Sequence, residues 1–358
     1  MHRPHHLEPK KATARVILAV KNFAAIKGVC HIGLGVTATN TMKVLRRDGY
    51  LVEAWPLQRS DELHNQLVEA EKRVVVTGGL PVSHVIVSAP WIDAKRFKQF
   101  CLDFPNIEFV LLNHSGCAFL SIDFEGMVKN LGYMHLELQV HNFRLAANNT
   151  RVVKLLAGLD HAKCLYLPNL YDTESYIPGY RWPKEIGNTI RIGSFGAGRP
   201  WKNQLCAAEA AILIARQLGK KLELFVNSKR PDGGERMIEE REKFFNKLSG
   251  VTITYVPWQM WPEFRRTCHQ MHLLLQPSFD ETFNVVTADG IASGIPSVTS
   301  SSIEWTPQRW QATCEDPTDI QKVGMYLLND PDAVEDGRTA LRDYVTTGLN
   351  KWRDYLGR

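Results

Sequence analysis

The stretch that most constrains the fold is Leu273–Thr299, LLLQPSFDETFNVVTADGIASGIPSVT. Leu273–Leu275 has the composition of a buried strand, and Pro277-Ser278 ends it before an acidic turn, Asp280-Glu281. From Thr282 the residues favour a helix, which Gly294 and Pro296 close, and Ser297–Thr299 resume a strand. A strand, a turn, a helix and a second strand in so short a span make an α/β unit. The turn sets Glu281 beside the free amides of a helix start. Asp289 follows about 80° past two full helical turns, so both carboxylates are expected to face one cleft. That arrangement suits a ligand with phosphates and hydroxyls.

The rest of the chain repeats this alternation. Strands are expected at Val16–Val20, Tyr50–Trp55, Arg73–Thr77, His84–Ser88, Ile107–Leu112, Phe143–Ala147 and Cys164–Leu167. Helices are expected at about Thr37–Arg47, after a glycine-bearing loop Lys27–Gly35, and at Asp61–Glu71, Asp93–Leu102 and from Thr150 to Leu156. Residues 120–142 carry no clear period. Two prolines and two glycines between Tyr171 and Asn188 read as an interdomain connection. A second unit follows, with strands Thr189–Ser194, Leu222–Val226, Val251–Tyr255 and His272–Leu275 and a helix Gln204–Leu218 whose stripe is Leu205, Ala208, Ile212 and Ala215. The organisation predicted is a tail over 1–13, a first domain over 14–170, a linker over 171–188 and a second domain over 189–331. A last helix, over 332–358, crosses back to the first domain. Two doubly wound α/β halves place a ligand at the carboxyl ends of their strands.

Composition narrows the function classes. With 44% apolar and 23% charged residues the chain is globular, and its net charge of +5 sits mostly in the first half, with ten of the twelve histidines. The seven cysteines form no CxxC pair, which favours free thiols and disfavours a zinc site. The N-terminal segment MHRPHHLEPKKATAR lacks an apolar core, and no apolar run approaches a membrane span, so a cytoplasmic protein is expected.

Several residues bear on chemistry. The loop Gly196-Ala197-Gly198-Arg199-Pro200-Trp201-Lys202-Asn203 combines backbone amides with two cations at a helix start, a setting for a diphosphate. Pro257-Trp258, after a strand, is placed to border a nucleobase. Asn113-His114 closes a strand of the first half. Lys95, Arg96 and Lys98 share one predicted helix, which keeps a polyanionic partner such as DNA open.

These offsets together resemble glycosyltransferase family 4, retaining GT-B enzymes that use nucleotide sugars. That family carries E-x-F-G-x4-E-A-x-A-x-G-x-P in its second domain, and Glu281, Phe283, Ala292, Gly294 and Pro296 fall in register. Asp289 takes the second acidic place and Asn284 that of the family's glycine. Ile192-Gly193 with Arg199 and Lys202 is similar to the family's G-R-x-x-x-K-G loop with an insertion. Leu167-Pro168-Asn169 and Asp172 are similar to its P-N-G-V-D turn. The likeness is clear over residues 160–350 and elsewhere reduces to strand order and to Gly33-Leu34-Gly35 and His114.

The resemblance implies a GT-B fold, two Rossmann-like domains across a cleft, and a retaining hexosyltransferase without obligatory metal. A UDP-sugar such as UDP-glucose is the expected donor. Arg199 and Lys202 would neutralise the departing diphosphate, and Glu281 would face the donor sugar. Thr282 and the amides of Phe283, Asn284 and Val285 would line the sugar and phosphate, and Asp289 would take the ribose. Gly33, Gly35 and Gly196 would let backbone approach the phosphates, and His114 would sit near the reacting carbon. The acceptor is a hydroxyl of a saccharide, a lipid-linked carrier, a protein, a small molecule or a hydroxymethylated pyrimidine of phage DNA. A nucleotide-sugar epimerase and a non-catalytic nucleotide-sugar-binding protein remain alternatives.

Overall fold

The computed structural model describes residues 14–22, 33–160, 163–177, 181–227, 245 and 247–357. The histidines of the N-terminal tail and most of the Lys27–Gly35 loop lie outside the described residues. The chain divides into two compact units. The first ends at Asp172 and also includes Thr347–Arg358, and the second includes Thr173–Thr346.

The first unit holds a six-stranded parallel sheet in the order β2-β1-β3-β4-β5-β6. Its strands are β1 (Arg15–Lys21), β2 (Leu51–Leu57), β3 (Val82–Ser88), β4 (Glu108–Asn113), β5 (Phe143–Ala147) and β6 (Cys164–Tyr166). Among the described residues six helices connect them: α1 (Gly33–Arg47), α2 (Ser60–Thr77), α3 (Ala94–Asp103), α4 (Cys117–Leu120), α5 (Phe124–Gln139) and α6 (Thr150–Asp160). One face of the sheet packs Ile17, Val85, Val87, Phe109, Leu111 and Leu145 against Phe97, Phe100 and Tyr133 of α3 and α5. These strands read as continuous apolar runs because helices cover a parallel sheet on both faces.

The second unit holds a five-stranded parallel sheet in the order β11-β10-β7-β8-β9. Its strands are β7 (Thr189–Ser194), β8 (Lys221–Asn227), β9 (Val251–Val256), β10 (Leu273–Gln276) and β11 (Ser297–Thr299). Its helices include α7 (Gln204–Gln217), α8 (Trp261–His269), α9 (Val285–Ala292) and α10 (Pro317–Asn329), and α11 (Ala333–Leu356) ends the chain. Parallel order in both sheets is the doubly wound architecture expected from the alternation of elements.

Four expectations are corrected. Arg73–Thr77, a β-branched run, is the end of helix α2 and not a strand, and Gly78 closes that helix at φ 66°. Helix α1 begins at Gly33 and not near Thr37. Helix α9 begins at Val285 and not at Thr282, because Asn284 has φ 62° and cannot continue a right-handed turn. On α7, Ala208, Ile212 and Ala215 are buried but Leu205 is 55% exposed.

The pairing of β7 with β10 turns on a missing side chain. A Cβ at Gly193 would lie 2.4 Å from Cε2 of Phe195 and 2.8 Å from Cδ2 of Leu274, both buried core groups. Gly193→Ala is therefore expected to destabilise the second unit by about 1–3 kcal/mol through overpacking. A lowered urea midpoint checks this, and an unchanged midpoint refutes it.

Candidate donor site

The loops that follow β7 and β10 meet because the strands are neighbours, with Leu273 opposite Ile192 and Leu274 opposite Gly193. After β7 the chain passes Gly196, at φ 124°, whose amide donates to Asn227 Oδ1 at 2.8 Å. It then makes a single 3-10 turn, Pro200–Lys202, and enters α7 through Asn203 at φ 52°. Backbone and side chain tie this loop to the one after β10. The Phe279 amide donates to Trp201 O at 2.8 Å, and Asn203 Nδ2 donates to Pro277 O at 3.0 Å. The loop after β11 joins them, since Ser300 Oγ and Ser302 Oγ both donate to Ser278 O.

Lys202 and Glu281 form an ion pair across these loops, with side chains only 15% and 11% exposed. Glu281 Oε1 also accepts from Asn284 Nδ2 at 3.1 Å and Ser278 Oγ at 3.3 Å. Asn284 is the hinge of the arrangement. Its Oδ1 caps α9 by accepting the Thr287 amide at 2.9 Å, and its Nδ2 also donates to Gln276 Oε1 at 3.1 Å. Gln276 in turn donates to Phe195 O at 3.1 Å. The left-handed backbone explains why asparagine stands where the resembled family has glycine: it is among the few other residues that adopt this conformation readily. Its side chain then adds a cap and a bond to Glu281 that glycine cannot supply.

Other expected residues lie nearby. The Arg199 guanidinium is 5.7 Å from the Trp201 ring centroid, a cation–π contact. Thr282 and Val285 are half-buried at the start of α9. The Phe283 carbonyl accepts from Trp305 Nε1, and its ring stacks against both Trp305 and Tyr344, at 5.5 Å from each centroid, in a cluster where those two rings also meet at 6.3 Å. Trp258 is half-buried between β9 and α8.

Asp289 is placed differently from Glu281. It has no exposed surface, and its Oδ1 accepts from Trp261 Nε1 at 2.8 Å. The two carboxylates therefore do not present one shared face, because Glu281 lies on the loop while Asp289 is enclosed along the helix. A direct ribose contact does not follow from this geometry. Trp261, Asn203, Gln276 and Ser278 are site-forming residues that sequence reasoning missed. For Asn203 and Ser278 the signal was their position in loops already singled out.

Gly33, Gly35 and His114 belong to the first unit. Both glycines are exposed in the first turn of α1, and among the described residues nothing lies within 4 Å of where a Cβ would stand. The far half of α1 is clamped. Asn40 Oδ1 accepts the Asp172 amide at 2.9 Å, and Arg47 and Lys43 pair with the Asp172 carboxylate. Burial pushes the Asp172 carboxyl up, but the Arg47 and Lys43 charges together outweigh it and hold the group low. His114 follows β4 and faces Asn148 Nδ2 at 3.2 Å, and Asn148 also donates to Asn169 Oδ1 at 3.2 Å. Burial lowers His114 to about 4, so its imidazole is neutral at physiological pH. Of the basic triad on α3, Arg96 pairs with Asp61 at 2.9 Å and Lys98 donates to Gln139 at 2.9 Å. Among the described residues no group of histidine, cysteine and acidic side chains is arranged to hold a metal ion.

Neither the protein-family models nor the curated proteins give a match to this chain. Solved structures do. Sucrose-phosphate synthase from Thermosynechococcus elongatus is similar with a TM-score of 0.63 at 15% identity, over 95% of this chain and 98% of that one. The catalytic domain of starch synthase IV from Arabidopsis thaliana, bound to ADP and acarbose, gives 0.62 at 10% identity over 97% and 100%. A UDP-forming α,α-trehalose-phosphate synthase from Burkholderia vietnamiensis gives 0.62 at 10% over 96% and 99%. At these identities the likeness establishes the fold, an α/β architecture of two parallel sheets in the GT-B class.

Proposed function

We propose that this chain is a retaining hexosyltransferase that moves a sugar from a nucleoside-diphosphate sugar to a hydroxyl acceptor. The observation that carries the proposal is the Lys202–Glu281 pair, held at the start of α9 by Asn284 and Ser278. A diphosphate entering here would compete with Glu281 for the Lys202 ammonium. Lys202 and Arg199 then supply fixed positive charge where negative charge grows on the leaving phosphate, the kind of preorganised term that lowers a barrier most. Glu281, released from Lys202, is free to hold donor hydroxyls and to stabilise an oxocarbenium-like centre. Departure and attack on one face, assisted by the phosphate, retain the anomeric configuration.

Asp289 acts in this proposal through Trp261, whose indole it positions, and not on the ribose itself. Gly33 and Gly35, without side chains at the start of α1 and with no described residue within 4 Å of a Cβ there, would let a phosphate approach the amides. His114, neutral, is suited to hydrogen-bond a sugar hydroxyl. A UDP-sugar is the first donor to test, and ADP-sugars belong beside it, since the starch synthase of like fold is described with ADP and the trehalose-phosphate synthase as UDP-forming.

A donor panel with product mass spectrometry tests the reading. Saccharides, lipid-linked carriers and hydroxymethylated duplex DNA serve as acceptors. Transfer with the product anomer unchanged by NMR is expected. Release of a free epimerised sugar nucleotide would make the chain an epimerase. Absence of binding by any nucleotide sugar at millimolar concentration would end the proposal.

A further inference from the structure

Helix α5 is apolar on two opposite faces. Its inner face carries the buried Tyr133, Met134 and Leu136 into the core of the first unit. Its outer face carries Phe124, 82% exposed, Val128, 49%, Leu131, 41%, and Leu138, 75%. At 100° per residue these four lie within an arc of about 80°, with His135 among them. Ile122, 68% exposed, extends the stripe at the start of the helix. A helix that is apolar all round is ordinarily enclosed, and a contiguous exposed stripe marks a surface that meets something.

The neighbouring helix says what. On α3, Lys95, Lys98 and Leu102 share one outward face, and Leu102 is 61% exposed. The bond from Lys98 Nζ to Gln139 Oε1 ties that face to the end of α5. Lys95 and Lys98 make no ion pair among the described residues, and on α5 Glu125 is already matched by Lys129 at 2.6 Å. The apolar patch is thus flanked on α3 by the ammonium groups of Lys95 and Lys98, the complement of an anionic lipid surface: side chains for the acyl boundary and ammonium groups for the headgroups. Among the described residues no helix is long and apolar enough to cross a membrane, so the contact is one of lying on the surface.

We infer that the outer faces of α3 and α5 dock this protein on anionic membrane surfaces. The inference does not rest on the transferase reading. The test is flotation of the full chain, without nucleotide sugar, with vesicles of phosphatidylcholine and phosphatidylglycerol in equal parts, against phosphatidylcholine alone. Binding to the anionic vesicles is expected. The double variant Phe124→Ser, Leu138→Gln should weaken it by about tenfold or more, given what two such side chains contribute on burial. Lys95→Glu with Lys98→Glu should remove the preference for anionic lipid. All these positions are exposed, and an unchanged urea midpoint shows that the variants fold. No binding by the wild-type chain, or binding that ignores both variants, overturns the inference. So does a dimer by light scattering that the apolar variant dissolves. A negative donor panel with positive flotation would sink the transferase reading and leave this one standing.

Discussion

Lys202→Ala is expected to lower kcat for sugar transfer by about 10²–10³, the usual effect of removing one preorganised charge from a site where charge develops. Two consequences of one geometry combine. The variant removes a cation from the path of the leaving diphosphate, and it leaves Glu281, 11% exposed, without its partner. Lys202→Arg should restore much of the rate, since the charge returns. Glu281→Gln separates the two contributions because it keeps the bonds from Asn284 and Ser278 while removing the negative charge. A loss confined to KM would assign Lys202 to uniform ground-state binding. A Lys202→Ala enzyme with unaltered kcat and KM would exclude Lys202 from the chemistry. Donor affinity measured without acceptor keeps these outcomes apart from misfolding.

Which parts of this architecture the sequence reveals follows from what each segment buries. Leu273–Thr299 is legible because its strands are fully buried and its Pro and Gly residues mark the boundaries. Phe143–Ala147 and Thr189–Ser194 are legible for the same reason, and their expected bounds coincide with the strands found. Arg73–Thr77 misleads because Val74, Val75 and Val76 favour a strand locally, yet the helix already begun at Ser60 carries on through them. Val75 and Val76 end 86% and 84% exposed, so their apolar character contributes nothing to the choice. Residues 120–142 carry no readable period because α5 is apolar inside and out, and periodicity appears only when one face is polar. The feature that hides the helix from the sequence is the one that marks its outer face as a surface.

The candidate site is legible in its residue types and less so in its contacts. Glu281, Arg199 and Lys202 stand out by charge beside glycines. The ion pair between Lys202 and Glu281 depends on β7 and β10 being neighbours, which no local pattern states. Asn284 could be noted as an odd residue at a glycine position, but its reason is a backbone angle. The enclosure of Asp289 by Trp261 joins two helices with a whole strand between them in sequence. Spacing on one helix gives an azimuth, and only the packed neighbours decide whether that azimuth meets solvent or core.

The largest stability effect is expected at Trp352, near the end of α11. Its side chain is 1% exposed, and its Nε1 donates to Pro168 O at 2.9 Å, within the turn that follows β6. Around it, a Cβ at Gly348 would stand 3.0 Å from Pro168 Cγ, so the helix backbone lies against that turn. Arg353 pairs with Asp48, and the Tyr355 ring meets His84 at 5.4 Å between centroids. The final helical turns thus fasten the end of β6, the end of α1 and the start of β3 in the first unit. Trp352→Ala should cost about 3–5 kcal/mol, combining lost apolar burial, a cavity and an orphaned carbonyl. Trp352→Phe should recover most of the packing but not the hydrogen bond, a difference of about 1 kcal/mol. Because the two units need not unfold together, the readout must report on the first unit, for example hydrogen exchange of the β3 and β4 amides. Unchanged protection there in Trp352→Ala would show that the helix end is not what holds the first unit closed.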